Sequence, residues 1–274
     1  DARAVFEEAS EILGYDMKAL CFEENEKLNL TQYTQPAMVT TGIAIMKVVE
    51  KQGLLPDTAA GLSLGEYEAL YAAGALSATD AIRVVARRGE LMEAAVPAGV
   101  GAMAAVLGAE ASLIEETLSE IPEVWIANYN CPGQIVISGK KEAVEAAAEA
   151  LKARGIKRVL MLNVSGPFHS GLLREAGEEL GKVLAETEIH PLRIPYYANV
   201  TGEIVEDAAA VKGLLTEQVY SSVRFEQSIR NMLAAGVDTF YELGPGKTLA
   251  GFVKKIDREA TVVNIETMED LAKI

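Results

Sequence analysis

The 274-residue chain is short of several things, and each shortage excludes something. It holds two cysteines, Cys21 and Cys131, far apart and without metal-ligand spacing, so buried reduced thiols are expected in place of a disulfide framework or a zinc site. No apolar run approaches the roughly 18 residues a membrane span needs, and no signal or transit segment is visible. Basic residues are scarce: 25 Lys and Arg against 40 Asp and Glu leave a net charge of −15 and argue against a nucleic-acid partner. There is no low-complexity tract or internal repeat, and no cofactor or metal is expected. The length suits one or two domains. Only two histidines are present, which narrows any search for a general base.

Residues 61–65 read Gly61-Leu62-Ser63-Leu64-Gly65, a G-x-S-x-G pentapeptide between the Pro56 breaker and a strong helix former, Glu66 to Ala73, that stops at Gly74. This pattern puts a serine hydroxyl at the tip of a sharp strand-to-helix turn, and a side chain at either glycine is expected to clash. The Leu64 amide, opening the helix, can face a developing oxyanion. Of the two histidines, His190 precedes Pro191 in a connection, whereas His169 lies in a loop, 164–171, between an apolar strand and a new helix. Loops leaving strand ends carry chemistry in α/β folds, so His169 is the better candidate base for Ser63.

A third candidate comes from helical periodicity. Ser77 to Asp80 has capping-box spacing and opens a helix running to about Val96. At about 100° per residue, Ile82, Val85, Ala86, Gly89, Met92 and Val96 share one face, with Val84 and Leu91 opposite. Arg83, Arg87 and Glu90 form a polar strip; Arg88 falls outside it and is expected to be buried. A buried guanidinium must be paired, either with a carboxylate of this protein or with an anion brought by a substrate. Downstream, residues 101–164 read as strand, helix, two strands, helix, strand: Gly101–Leu107, Ala109–Glu120, Val124–Asn128, Gln134–Ser138, Lys141–Arg154 and Arg158–Val164. That β-α-β-β-α-β order is ferredoxin-like. The expectation is therefore a large α/β domain of α/β-hydrolase type, residues 1–97 and 166–274 with a parallel sheet, into which a small domain, 98–165, is inserted. The substrate cleft would lie between them.

These residues carry a resemblance. The elbow with Glu66, Arg88-Gly89, the run Val96 to Met103, Asn128-Tyr129-Asn130-Cys131-Pro132-Gly133-Gln134, Gly166-Pro167-Phe168-His169-Ser170 and Glu242 to Lys247 stand in the order found in malonyl-CoA:acyl carrier protein transacylases, over essentially the whole chain. The resemblance implies a malonyl-serine ester on Ser63, His169 as base, and Arg88 binding the free malonyl carboxylate. It implies a base oriented by the backbone carbonyl of Gln218, with Phe168 resembling the malonyl-selective members. It also implies coenzyme A and acyl carrier protein as partners, in fatty acid synthesis in the cytoplasm. The acidic chain would need a local basic patch to dock an acidic carrier protein, and Lys152, Arg154, Lys157 and Arg158 form the densest cluster. The chain departs from the family at Leu62, where histidine is usual. It departs also at the start, where the family has an apolar strand and a Gly-Gln-Gly turn supplying a second oxyanion amide. Without that segment the parallel sheet should lack a strand, and a lost oxyanion donor typically costs about 10²- to 10³-fold in rate. A serine esterase or thioesterase, and an inactive fragment of the transacylase, are the alternative readings.

Overall fold

The computed structural model describes residues 1–164 and 166–274. The chain opens with helices α1 (Ala2–Leu13), α2 (Met17–Phe22) and α3 (Thr31–Lys51), then a two-residue strand β1 (Ala59–Ala60) that runs into the elbow. Helices α4 (Gly65–Ala72) and α5 (Ala78–Ala94) follow. Ser77 caps α5 by accepting from the Asp80 amide, and the helix ends two residues before the expected Val96. Its polar strip, Arg83, Arg87 and Glu90, is exposed, while Ile82, Val84, Val85, Gly89 and Met92 are buried. This apolar circumference packs against α1, α3 and a later helix, Arg174–Glu186, in the main core.

The middle of the chain has the expected order: β2 (Gly101–Leu107), α6 (Ala111–Ser119), β3 (Val124–Cys131), β4 (Gln134–Lys140), α7 (Lys141–Ala153) and β5 (Arg158–Met161). The strands form one antiparallel sheet in the order β3-β4-β2-β5, with α6 and α7 packed on one face through Ile114, Leu118, Val144 and Leu151. Two boundaries shift by three residues and the others by two or fewer. β3 extends three residues past Asn128 because the Pro132-Gly133 hairpin keeps it paired with β4. β5 stops at Met161, three residues short of Val164, since its pairing with β2 runs out there. The expected domain limit at Ser165 lies outside the described residues. Met103, Ala127 and Val136 on the opposite face meet Phe168, and the Tyr129 amide donates to the Val223 carbonyl at 2.8 Å, joining this sheet to the rest of the chain.

The C-terminal part contains α8 (Arg174–Glu186), β6 (Tyr196–Tyr197), β7 (Ile204–Val205), α9 (Val211–Gln218), α10 (Phe225–Ala234), β8 (Thr239–Leu243), α11 (Thr248–Ile256), β9 (Thr261–Ile265) and α12 (Met268–Leu271). The parallel pairing expected of the α/β fold is present here, interrupted by a gap. Parallel pairing occurs in two separate pieces, β1 with β6 and β8 with β9, while β7 joins β6 antiparallel. Between the pieces runs a cavity of about 910 Å³, lined by Ala59 and Ala60 on one side and Thr239 to Leu243 on the other. β1 and β8 are not paired with each other among the described residues. Among the described residues, no helix is long and apolar enough to cross a membrane.

Candidate active site

Ser63 sits at the end of β1 with φ 54°, in the left-handed region that a serine adopts only when its surroundings force it. Gly61 is what permits the turn: a Cβ there would fall on the carbonyl of Gly65. The expected clash at Gly65 does not occur. A Cβ there meets no atom within 4 Å, because Gly65 already points outward from the first turn of α4. The Ser63 amide donates to Asn199 Oδ1 at 2.6 Å, and Asn199 Nδ2 donates to the Gly61 carbonyl at 2.6 Å. One side chain thus clamps both ends of the turn, leaving the neighbouring Leu64 amide at the N-terminus of α4 without a backbone partner among the described residues.

His169 also has a left-handed backbone, φ 55°, and is 4% exposed. Its Nε2 is 2.7 Å from Ser63 Oγ and its Nδ1 is 2.8 Å from the Gln218 carbonyl oxygen. A carbonyl only accepts, so Nδ1 carries the proton and Nε2 is left with a lone pair for the serine hydroxyl. Burial, reinforced by the Arg88 charge, lowers the imidazole pKa to about 4, so it is a neutral acceptor at neutral pH. His190 lies elsewhere, partly exposed and 3.6 Å from Glu188.

Arg88 is 1% exposed. Its Nη1 donates to Gln35 Oε1 at 2.7 Å, and its Nη2 donates to Gln218 Oε1 at 3.0 Å and to Ser63 Oγ at 3.1 Å. The guanidinium also stands over the Tyr67 ring, 5.6 Å from its centroid. No carboxylate of the described residues touches it, and its Nε has no hydrogen-bond partner among them. The fork is held by neutral amides and aimed at the nucleophile, and such a site can accept an anion.

Gln218 contributes more than its carbonyl. Its Nε2 donates to the Ser63 carbonyl at 2.8 Å and to Glu66 Oε2 at 2.6 Å. Gln35, Asn199, Glu66 and the side-chain role of Gln218 were not foreseen from the sequence. For Glu66 a signal existed: Glu66, Ala69, Leu70 and Ala73 share one helical face, and the three apolar members are buried with it. Gln35 and Asn199 reach the site across 53 and 136 positions, and no local pattern marks them. In the basic cluster, Lys152 pairs with Glu149 at 2.9 Å and Arg154 with Glu116 at 2.6 Å, whereas Lys157 and Arg158 are exposed with no ion pair among the described residues. Cys21 and Cys131 are free thiols; Cys131 is buried and Cys21 partly so.

The arrangement of elbow serine, carbonyl-oriented histidine and buried guanidinium can carry out nucleophilic acyl transfer on an anionic acyl group. Residues 5–270 match the acyl transferase domain, and the chain belongs to that family. It is 46% identical, over 98% of its own length and 87% of the relative's, to the malonyl CoA-acyl carrier protein transacylase of Bacillus subtilis (strain 168). A crystal structure of an acyl carrier protein S-malonyltransferase from Vibrio cholerae superposes with TM-score 0.97 at 42% identity, covering 99% of this chain and 90% of the other. A type II PKS acyl-carrier protein in complex with its malonyl-transacylase matches with TM-score 0.96 at 39% identity, covering 99% and 90%.

Proposed function

We propose that this enzyme moves a malonyl group from malonyl-CoA to the phosphopantetheine thiol of acyl carrier protein, through a malonyl ester on Ser63, in fatty acid biosynthesis. In the first half, His169 Nε2 takes the Ser63 proton as Oγ attacks the thioester carbonyl. The Leu64 N–H stabilises the oxyanion that forms. Collapse expels the coenzyme A thiolate, which leaves with the proton from His169. In the second half the carrier thiol gives its proton to His169 and attacks the ester, and Ser63 recovers its proton as it departs. The Gln218 carbonyl keeps the imidazole in the working tautomer, and Arg88 grips the malonyl carboxylate.

The observation that carries this reading is the buried Arg88 fork, 3.1 Å from the nucleophilic oxygen and in contact with no carboxylate among the described residues. An esterase acting on neutral acyl groups has no use for an ion there. The exposed cations Lys157 and Arg158, on the segment that opens β5, are the proposed contact for the acidic carrier protein. The small domain, 98–165, and the large one around it then face one another across the acyl site, with Phe168 between. The cytoplasmic location expected from the sequence belongs to the same reading. Intact-mass measurement after mixing with malonyl-CoA, followed by peptide mapping, tests the proposal: one malonyl adduct on Ser63 is expected. An adduct on another residue, or none, refutes it.

A further inference from the structure

Glu66 is fully buried one helical turn beyond the nucleophile, and the mechanism above does not use it. Its Oε2 accepts from Gln218 Nε2 at 2.6 Å and from the Asn199 amide at 3.3 Å. The first of these bonds settles which end of the Gln218 side-chain amide faces the site: with Nε2 on Glu66, Oε1 is turned toward Arg88; the second comes from the Asn199 backbone. The other carboxyl oxygen, Oε1, has no hydrogen-bond partner among the described residues, and neither do the hydroxyls of Tyr67 and Tyr196. The ionisable groups acting on Glu66 are Arg88 on α5 and Tyr196 on β6, with Tyr67 on its own helix; Gln35 from α3 and Gln218 from α9 are neutral. Among the described residues Glu66 is thus the carboxylate whose charge acts on Arg88, with the Gln218 side chain bonded to both.

We propose that Glu66 is the internal counter-charge and positioning residue of the acyl site, balancing Arg88 while the site is empty and taking up one proton from solvent, on Oε1, when the substrate carboxylate pairs with Arg88. This rests on the reading of Arg88 as the carboxylate receptor. Two anions on one buried guanidinium repel each other, and the cheapest relief is to neutralise the one that can be protonated. Glu66 is poised for this: burial pushes its carboxyl up to about 7, against the opposing pull of the Gln218 and Asn199 bonds, the Arg88 charge and the nearby Tyr196 hydroxyl. A proton bound with the substrate makes affinity fall as pH rises above the pKa of the empty site, by up to about tenfold per pH unit.

The test uses the full chain carrying His169→Ala, which blocks acylation and removes the other group whose charge answers Arg88. Malonyl-CoA and acetyl-CoA share the coenzyme and differ in the carboxylate. Between pH 7 and 9 the malonyl-CoA Kd should rise about tenfold per unit, with acetyl-CoA flat. Calorimetry at pH 8 in phosphate and in Tris should show close to one proton taken up per malonyl-CoA bound and none with acetyl-CoA. Adding Glu66→Gln should abolish both the slope and the uptake. A flat malonyl-CoA profile in the protein that retains Glu66, or a slope that survives Glu66→Gln, overturns the proposal. The first of these outcomes needs no Glu66 variant to fold. Adding Arg88→Ala should erase the preference for malonyl-CoA; if the preference persists, the Arg88 reading falls, and this one with it.

Discussion

Replacing Arg88 by alanine separates substrate recognition from stability. Among the described residues the guanidinium makes three hydrogen bonds, to Gln35, Gln218 and Ser63, and none to a carboxylate. A hydrogen bond to a charged group is worth about 1.5–3 kcal/mol, so losing a two-pronged grip on the malonyl carboxylate costs about 3–6 kcal/mol. At about 1.4 kcal/mol per tenfold, kcat/KM for malonyl-CoA should fall by roughly two to four powers of ten. The same change strands the Gln35 and Gln218 side-chain oxygens in the core, so the melting temperature should also drop. The ratio of malonyl to acetyl transfer cancels that loss, because both substrates meet the same weakened protein. Arg87, one residue earlier, is exposed and paired at 2.7 Å with Glu90 on the surface, a contact worth little. Parallel assays of carrier-protein acylation with both thioesters should find Arg87→Ala close to wild type and Arg88→Ala with its malonyl preference collapsed. If the two variants behave alike, or if Arg88→Ala slows both thioesters equally, Arg88 is not the carboxylate receptor.

Three further outcomes are expected. Because the His169 pKa is held near 4 instead of 6.5, the acylation rate at saturating malonyl-CoA should stay level through neutrality and decline only as pH falls toward 4; a decline already centred near 6.5 in pre-steady-state acylation would mean a solvated imidazole. Gly61→Ala should abolish the elbow, with loss of soluble protein or of acylation, whereas Gly65→Ala should keep both and gain a few tenths of a kcal/mol in denaturant melts. Charge reversal at Lys157 and Arg158 should raise KM for the carrier protein severalfold while leaving the Ser63 acylation rate with malonyl-CoA unchanged, and equal effects on both steps would count against docking there.

The parts of this protein legible in sequence are those written in local pattern. The G-x-S-x-G spacing marked the elbow, the scarcity of histidine pointed to His169, and the 3.6-residue period of α5 singled out Arg88 as a cation on the wrong face. The alternation of strand and helix between residues 101 and 161 was enough for the topology of the small sheet, because each element declares itself within its own window. Local pattern failed where contacts are long-range. Gln35, Asn199 and the Gln218 side chain look like ordinary polar groups of helices and loops until folding gathers them around one serine and one guanidinium, at separations of up to 155 positions. The different fates of Gly61 and Gly65, alike in the motif, depend on which one has the chain returning across it. Strand pairing was likewise decided in three dimensions: β1 pairs with β6 and β8 with β9, in separate sheets that no local pattern in the sequence marks. Hydrophobic periodicity says which side of an element is buried, and only the packed chain determines what that side meets.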